Sequence, residues 1–288
     1  MEDEIGPILC ECCEKLNYVK ISKRIQCSDN DSDLFSKMDD SSSDDEKEEK
    51  DKATLAYNKF ARQPTSKEKI LRVMKWVETH SHSFEIAELL HFYMKSMLKN
   101  KTIIQFQMYG IGELILERPS HQLNFAFNIL KRFKRKFPEI TVTCQEPILV
   151  KEEIEYLQSK NVKIIKTSKF SSKHFLNASK SAAANIISEP AFICYMIHGT
   201  HEMYEEFLEA HWKPELLSRC IIIGNNPKYW TAKNEDVKSP FKITTYAKLC
   251  DSKPVKFFDD YLEEVIFYGL HVYSITKENA EIAINELS

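Results

Sequence analysis

An α/β fold, built on a Rossmann-like, mostly parallel sheet with helices on both faces, is what this sequence predicts from three observations. Short apolar runs of strand length alternate with longer stretches whose apolar residues recur at helical spacing. Several of those runs end on glycine-bearing or polar turns, as at Tyr109-Gly110-Ile111-Gly112 and at Gly224-Asn225. The chain has 288 residues and is 43% hydrophobic, which suffices to bury the core that such a sheet requires.

The net charge of −3 is spread unevenly, with the acidic surplus before residue 52. Residues 28–52, including Asp39-Asp40-Ser41-Ser42-Ser43-Asp44-Asp45-Glu46, hold too little apolar area to offset the entropy of ordering and are expected to be disordered. The serines among those carboxylates suit acidophilic kinases. Residues 1–64 are therefore expected to form a flexible, cysteine-containing acidic arm ahead of an α/β domain at 65–288. Cys10, Cys12, Cys13 and Cys27 lie in this arm without the paired Cys-x-x-Cys spacing of common zinc folds, so no metal is assigned to them. Cys144, Cys194, Cys220 and Cys250 fall in or beside apolar segments and read as reduced, buried thiols. The start is acidic where a signal peptide would be basic, and no apolar run is long enough to cross a bilayer. The expectation is a soluble intracellular chain, cytoplasmic and extending to the nucleus, with no membrane partner.

Order is expected to begin near Ser66, which can cap a helix bearing Ile70, Val73, Met74 and Val77. A second helix carries Phe84, Ile86, Leu89, Leu90, Tyr93 and Met97. Ile103 to Tyr109 reads as a buried strand, followed by the glycine turn. The long helix after it is entered through Pro119 and Ser120, with Leu123, Phe127, Leu130, Phe133 and Phe137 on one face. Its end holds Lys131, Arg132, Lys134, Arg135 and Lys136. That cluster looks like a nuclear-import or nucleic-acid patch, but cations at a helix carboxyl end also complement its dipole, and the dipole reading is preferred.

Ile140 to Cys144 is the next strand, closed by Gln145-Glu146-Pro147. A helix over Lys151 to Lys160 and a strand at Val162 to Ile165 continue the alternation, which implies right-handed crossovers in a parallel sheet. Residues 170–188 read as a loop with a short helix. Ala191 to Ile197 is a buried strand ending on His198, and Thr200 caps a helix bearing Met203, Tyr204, Phe207 and Leu208. Leu216 and Leu217 lead into the strand Cys220 to Ile223, which is expected to stop at Gly224-Asn225-Asn226-Pro227. Beyond Pro240, Phe257, Phe258, Tyr261 and Val265 precede a final strand at His271 to Ile275 and a short terminal helix.

The candidate site lies at the carboxyl ends of these strands, where open parallel sheets form a crevice and the next helix offers free N–H groups. Gly110 and Gly112 make the turn, and Glu146 is placed to bind ribose hydroxyls. The third glycine of the dinucleotide fingerprint is absent, since Glu113 and Leu114 follow, and a carboxylate beside the turn repels a pyrophosphate. Within the ligand-binding reading, an S-adenosylmethionine-like nucleoside therefore fits better than a dinucleotide. The same residues also suit a plain tight turn with a solvated carboxylate, and that choice stays open. His198 and His201, with Glu202, Glu205 and His211 near them, have the spacing of ligands one helical turn apart, but the turn at Gly199 need not be helical. His198 is read instead as a hydrogen-bonding residue lining the crevice, and no metal is assigned. The aromatic residues near the carboxyl end read as packing. With no basic groove legible in the pattern, no nucleic-acid partner is expected.

Taken in order, Tyr109-Gly-Ile-Gly112 with Gln122-Leu123, Glu146-Pro147, Tyr195-Met-Ile-His198 with Tyr204 and Trp212, Leu216-Leu217-Ser218 and Ile221-Ile-Ile-Gly-Asn225 resemble the Sensitivity to Red-light Reduced, or SRR-like, family. The resemblance spans about residues 70 to 275. It carries the family's Tyr-Gly-x-Gly turn onto Tyr109, Gly110 and Gly112, its strand-end histidine onto His198, its helix tyrosine onto Tyr204 and its Gly-Asn turn onto Gly224 and Asn225. With Glu146 these eight form the candidate ligand-binding set, and no catalytic residue is assigned. The family pattern has Ser, Asp, Pro, Asn and Ser-Phe where this chain has Glu113, Glu146, Ile197, Glu205 and Asn226-Pro227. The resemblance implies an intracellular regulatory protein associated with circadian-clock input or related signalling, acting on protein partners through binding. The alternative is a nucleoside-cofactor-dependent, transferase-like enzyme whose pocket is lined by Tyr109, Glu146, His198 and Asn225.

Overall fold

The computed structural model describes residues 65–81, 83–173, 175, 188–228, 241–255 and 266–287. The expectations for the acidic arm and its four cysteines, for most of the 170–188 segment and for Phe257, Phe258, Tyr261 and Val265 lie outside these residues. Helix α1, Lys67–His80, is capped by Ser66, whose Oγ accepts the Lys69 N–H at 3.2 Å, and it buries Ile70, Met74 and Val77. Helix α2, Ser83–Leu98, buries Ile86, Leu90 and Met94. Next come β1 (Lys101–Tyr109), α3 (Glu117–Lys134), β2 (Thr141–Gln145), α4 (Lys151–Ser159) and β3 (Val162–Ile165). The second half contains β4 (Glu189–Met196), α5 (His201–His211), α6 (Pro214–Leu217) and β5 (Cys220–Asn225). It closes with α7 (Lys242–Leu249), β6 (Asp251–Pro254), β7 (Leu270–Ser274) and α8 (Lys277–Glu286).

The strands form one seven-stranded sheet in the order β3-β2-β1-β4-β5-β7-β6. All neighbours from β3 to β5 pair in parallel, while β7 runs antiparallel to both β5 and β6. The chain thus moves outward from β1 to β3 and returns on the other side of β1 with β4, which creates a topological switch between β1 and β4.

Alternation along the strands separates two apolar layers. Phe106, Met108, Ile193, Tyr195, Ile221 and Ile223 point to the layer shared with α1 to α4. Phe192, Cys194, Met196, Cys220, Ile222 and Tyr273 point to the layer shared with α5 to α8. This is the expected α/β sheet with helices on both faces. A register shift between Ile103 and Gln105 resets the alternation, so that Ile104 and Phe106, two residues apart, serve opposite layers and Phe106 shares the layer of Ile103. Cys144, Cys194 and Cys220 are free buried thiols; Cys250 is free and half-buried, and burial pushes both Cys144 and Cys250 up to about 12.

Two local expectations are corrected, and two further features were not foreseen. Helix α3 begins at Glu117 rather than at Pro119 and Ser120, behind Leu116, which has no capping side chain. Strand β5 does not stop before Gly224 and Asn225, because these pair with His271 and Leu270 of β7 and remain in the ladder. Leu216 and Leu217 belong to the short helix α6, started by Pro214 in the first helical turn. Helix α7 and the edge strand β6 carried no legible signal, since Asp251-Ser-Lys-Pro254 is polar and largely solvent-facing.

Helices α2 and α3 are joined by a polar contact. Ser83 is fully buried, and its Oγ accepts hydrogen bonds from Asn124 Nδ2 at 3.0 Å and Asn128 Nδ2 at 2.8 Å. Ser83→Ala strands both amide donors and is expected to lower unfolding free energy by about 1–3 kcal/mol, read from denaturant midpoints at unchanged m-value.

At the β6–β7 pairing, His271 Nδ1 lies 2.8 Å from Ser252 Oγ. Burial, helped by Lys228, pulls the His271 pKa down to about 4. Between about 6.5, the unfolded value, and the folded value the unfolded chain binds more protons, so this histidine withdraws stability as pH falls and leaves it unaffected above that window. The pH dependence of the urea midpoint between pH 7 and 4 is expected to flatten in His271→Asn.

Candidate functional site

The parallel arrangement brings the carboxyl ends of β1, β2, β4 and β5 to one edge of the sheet, where the candidate residues form two groups. The first is built on the turn after β1. Gly110 and Gly112 have φ of +61° and +81°, a backbone region that favours glycine, and Gly110 N–H is held by the Gln145 carbonyl at 3.2 Å. A Cβ on Gly112 would lie 3.1 Å from Pro119 Cγ, so this glycine also lets the start of α3 pack against the turn.

Glu146, at the end of β2, folds back onto that turn. Its Oε2 accepts the Gly112 N–H at 2.8 Å and its Oε1 accepts the Ile148 N–H at 3.2 Å. Glu153 of α4 acts in the same way, accepting the Leu114 N–H at 2.6 Å and the Val150 N–H at 3.1 Å. Burial, with the neighbouring charges of Glu113 and Glu146, raises the Glu153 pKa, and its two backbone hydrogen bonds oppose that rise. The N–H groups that such turns commonly offer to a phosphate are thus already engaged by carboxylates at Gly112 and Leu114.

The second group lies at the ends of β4 and β5. His198 has φ of +55°, and its N–H donates to Asn225 Oδ1 at 2.7 Å, while Asn225 Nδ2 donates to the Gly199 carbonyl at 3.2 Å. His198 Nε2 contacts the Ile266 carbonyl, which assigns the proton to Nε2 in the neutral ring and leaves Nδ1 as an acceptor. Desolvation lowers the His198 pKa; the Ile266 carbonyl opposes this and the Arg118 charge adds to it. Arg118, in the first turn of α3, thus acts electrostatically on His198.

Tyr109 and Tyr204 stand beneath this edge. The Tyr109 ring packs against Phe170 and Phe207, its hydroxyl is buried without a hydrogen-bond partner among the described residues, and burial raises its pKa well above 10. The Tyr204 hydroxyl donates to the Met196 carbonyl and accepts the Asn225 N–H at 3.0 Å, tying the ends of β4 and β5 together. Gly224 must lack a side chain there, because a Cβ would collide with the Tyr204 hydroxyl.

Three residues outside the sequence-derived set shape this edge. Met203 lies between the two turns, with its sulfur 3.2 Å from a Cβ built on Gly110 and its methyl against Gly199. Its apolar spacing marked it only as a core residue of α5. Arg118 carried no signal, and Glu153 occupied the third position of α4, where a glutamate commonly reaches back to the helix start. Glu205 is turned away, accepting the Lys242 and Ile243 N–H groups at 2.9 Å each and capping α7. His201 packs on Phe241, and the buried His211 Nδ1 lies 2.7 Å from the Phe207 carbonyl, so these histidines do not converge with His198. Among the described residues, no three of His, Cys, Asp and Glu are grouped to hold a metal, and no helix is long and apolar enough to cross a membrane.

The fold and its strand-end turns define a doubly wound α/β protein with a topological switch between β1 and β4. The chain belongs to the SRR1 domain family, whose profile matches residues 68–281. It is 26% identical over 171 residues to Protein SENSITIVITY TO RED LIGHT REDUCED 1 of Arabidopsis thaliana, covering 57% of this chain and 57% of the relative's length. Among solved structures, it is similar to the plantazolicin methyltransferase BpumL in complex with SAH at 14% identity and a TM-score of 0.34, covering 71% of this chain and 89% of that one. The 23S rRNA methyltransferase ErmE gives 14% identity and a TM-score of 0.32, with 67% and 66% covered.

Tyr204→Phe removes the hydroxyl that serves Met196 and Asn225. The expected loss is about 1–3 kcal/mol, measured by guanidinium unfolding, with a weakened Asn225 amide seen as faster hydrogen exchange.

Proposed function

We propose that this SRR1-domain chain is an intracellular regulatory protein, cytoplasmic and nuclear, that acts by binding protein partners through its Rossmann-like scaffold in a clock-input or related signalling pathway. Its family membership supports the regulatory reading. The observation that carries the binding reading is the internal satisfaction of the strand-end turn: Glu146 holds Gly112, Glu153 holds Leu114, and Met203 lies between Gly110 and Gly199. A rim tied in this way is a rigid surface, and its carboxylates oppose a diphosphate.

A second reading rests on the position of Glu146, beside Gly112 at the end of the strand next to the switch point. One lone pair on each of its oxygens remains for a ribose hydroxyl. In this reading Gly110, Gly112, Glu146, His198, Gly224 and Asn225 line a nucleoside site, Tyr109 and Tyr204 support it from below, and the chain is a cofactor-dependent, transferase-like enzyme. His198, neutral with Nδ1 open, would accept a hydrogen bond from such a ligand.

Thermal unfolding of the full chain with adenosine, S-adenosylmethionine and NAD separates the two. A ligand at a hundredfold its dissociation constant adds about 2.7 kcal/mol of stability. The binding-scaffold reading expects no shift with any of the three. A shift with adenosine and S-adenosylmethionine that disappears in Glu146→Ala and Gly112→Val would replace it with the nucleoside reading.

A further inference from the structure

At the opposite edge of the sheet, where β2 and β3 begin, the surface holds a concavity of about 490 Å³. Its floor is apolar, formed by Phe127, Leu130 and Val142. Its rim is cationic, formed by Lys131, Lys134 and Arg135 of α3 and by Lys160 at the end of α4, all exposed. The sequence pattern showed no basic groove, and the fold makes one by setting Lys160 opposite the α3 cluster.

Dipole compensation does not account for this rim. Two helix carboxyl ends present roughly one negative charge between them, against four full positive charges, and one of the four comes from a different helix. The ion pairs among the described residues engage neighbouring Arg132 with Glu88 but none of the four rim cations. Among the described residues none of the four cations has an ion-pair partner, Lys160 lies 5.6 Å from the centre of the Tyr156 ring, and of the floor residues Leu130 and Val142 are buried while Phe127 is half-buried, so the rim carries positive charge that these residues do not neutralise.

We propose that this groove docks an acidic peptide segment of a partner protein, with one apolar side chain on the Phe127, Leu130 and Val142 floor and flanking carboxylates or phosphates on the rim. The volume accommodates an aliphatic or aromatic side chain with its adjoining backbone. Lys131, Lys134 and Arg135 span only about 6 Å of helix axis, which matches a few peptide residues. A nucleic-acid duplex, in contrast, gains its affinity by neutralising roughly 6–10 phosphates over a longer track. The groove gives the protein-binding reading a contact surface, and it fails separately from that reading because a partner can still use the strand-end rim.

The test pans a displayed library of random peptides, about ten residues each, on the full chain, with counter-selection on Lys131→Glu/Arg135→Glu. The expected winners combine Asp, Glu or a phosphomimetic run with one Leu, Ile or Phe. Fluorescence anisotropy should show them losing about tenfold or more in affinity for the double variant and for Lys160→Glu, and weakening with salt. Unchanged thermal unfolding of these variants shows that the effect is local. Winners without acids, winners insensitive to the rim substitutions, or no winners overturn the groove as a peptide site. Tighter rim-dependent binding of a single-stranded oligonucleotide or of vesicles containing phosphatidylserine would reassign it to those partners. Winners that depend instead on Glu146 or Met203 would overturn the groove while upholding protein binding by the scaffold.

Discussion

The Tyr204 hydroxyl determines what can stand at the ends of β4 and β5. It donates to the Met196 carbonyl and accepts the Asn225 N–H, so two parallel strands are held at fixed separation just where their ladder finishes. The same ring excludes side chains from Gly199 and Gly224. With Asn225 fixed, its amide can hold both the His198 N–H and the Gly199 carbonyl, which keeps His198 in its positive-φ turn. A tyrosine deep in one helix layer thereby sets the backbone of the surface turn above it, and it does so from a fully desolvated position where an unmade hydrogen bond is costly.

The β1 turn is controlled differently, by carboxylates instead of a buried ring. Glu146 and Glu153 reach the N–H groups of Gly112 and Leu114 from β2 and α4, so the turn is fixed by two elements that follow it in the chain. Glu146 closes onto the Gly112 N–H, and Glu205 caps α7. Both direct negative charge into the protein's own backbone donors. That arrangement makes a firm rim and disfavours an anionic ligand at the turn.

Charge is also divided between the two edges of the sheet. Glu113, Glu146 and Glu153 gather at the carboxyl edge, as the mutual effect of their charges on Glu153 shows. Lys131, Lys134, Arg135 and Lys160 gather at the opposite edge. A near-neutral whole-chain charge conceals this separation, because the alternating connections of a parallel sheet return helix ends and strand ends to fixed sides of the molecule. The two edges therefore differ in charge.

Much of the fold was legible locally. The apolar runs of β1, β3, β4 and β5 and the helical spacing of α1, α3 and α5 come from backbone periodicities of two and 3.6 residues, and the paired glycines after Tyr109 announced a turn. Ser66 and Thr200 were readable as caps because a cap needs only a side chain a few residues from its donor. Short polar β6 and the continuation of β5 through Gly224 and Asn225 were not legible, since both depend on pairing with β7. The same limit applied at the site. Residue types named Gly110, Gly112, Glu146 and His198, but only tertiary structure put Glu146 on the Gly112 N–H, Met203 between Gly110 and Gly199, Arg118 near His198 and Lys160 across from Lys131. Those relations join residues distant in sequence, and periodicity carries no information about which distant side chains a fold will bring within hydrogen-bonding or Coulombic reach.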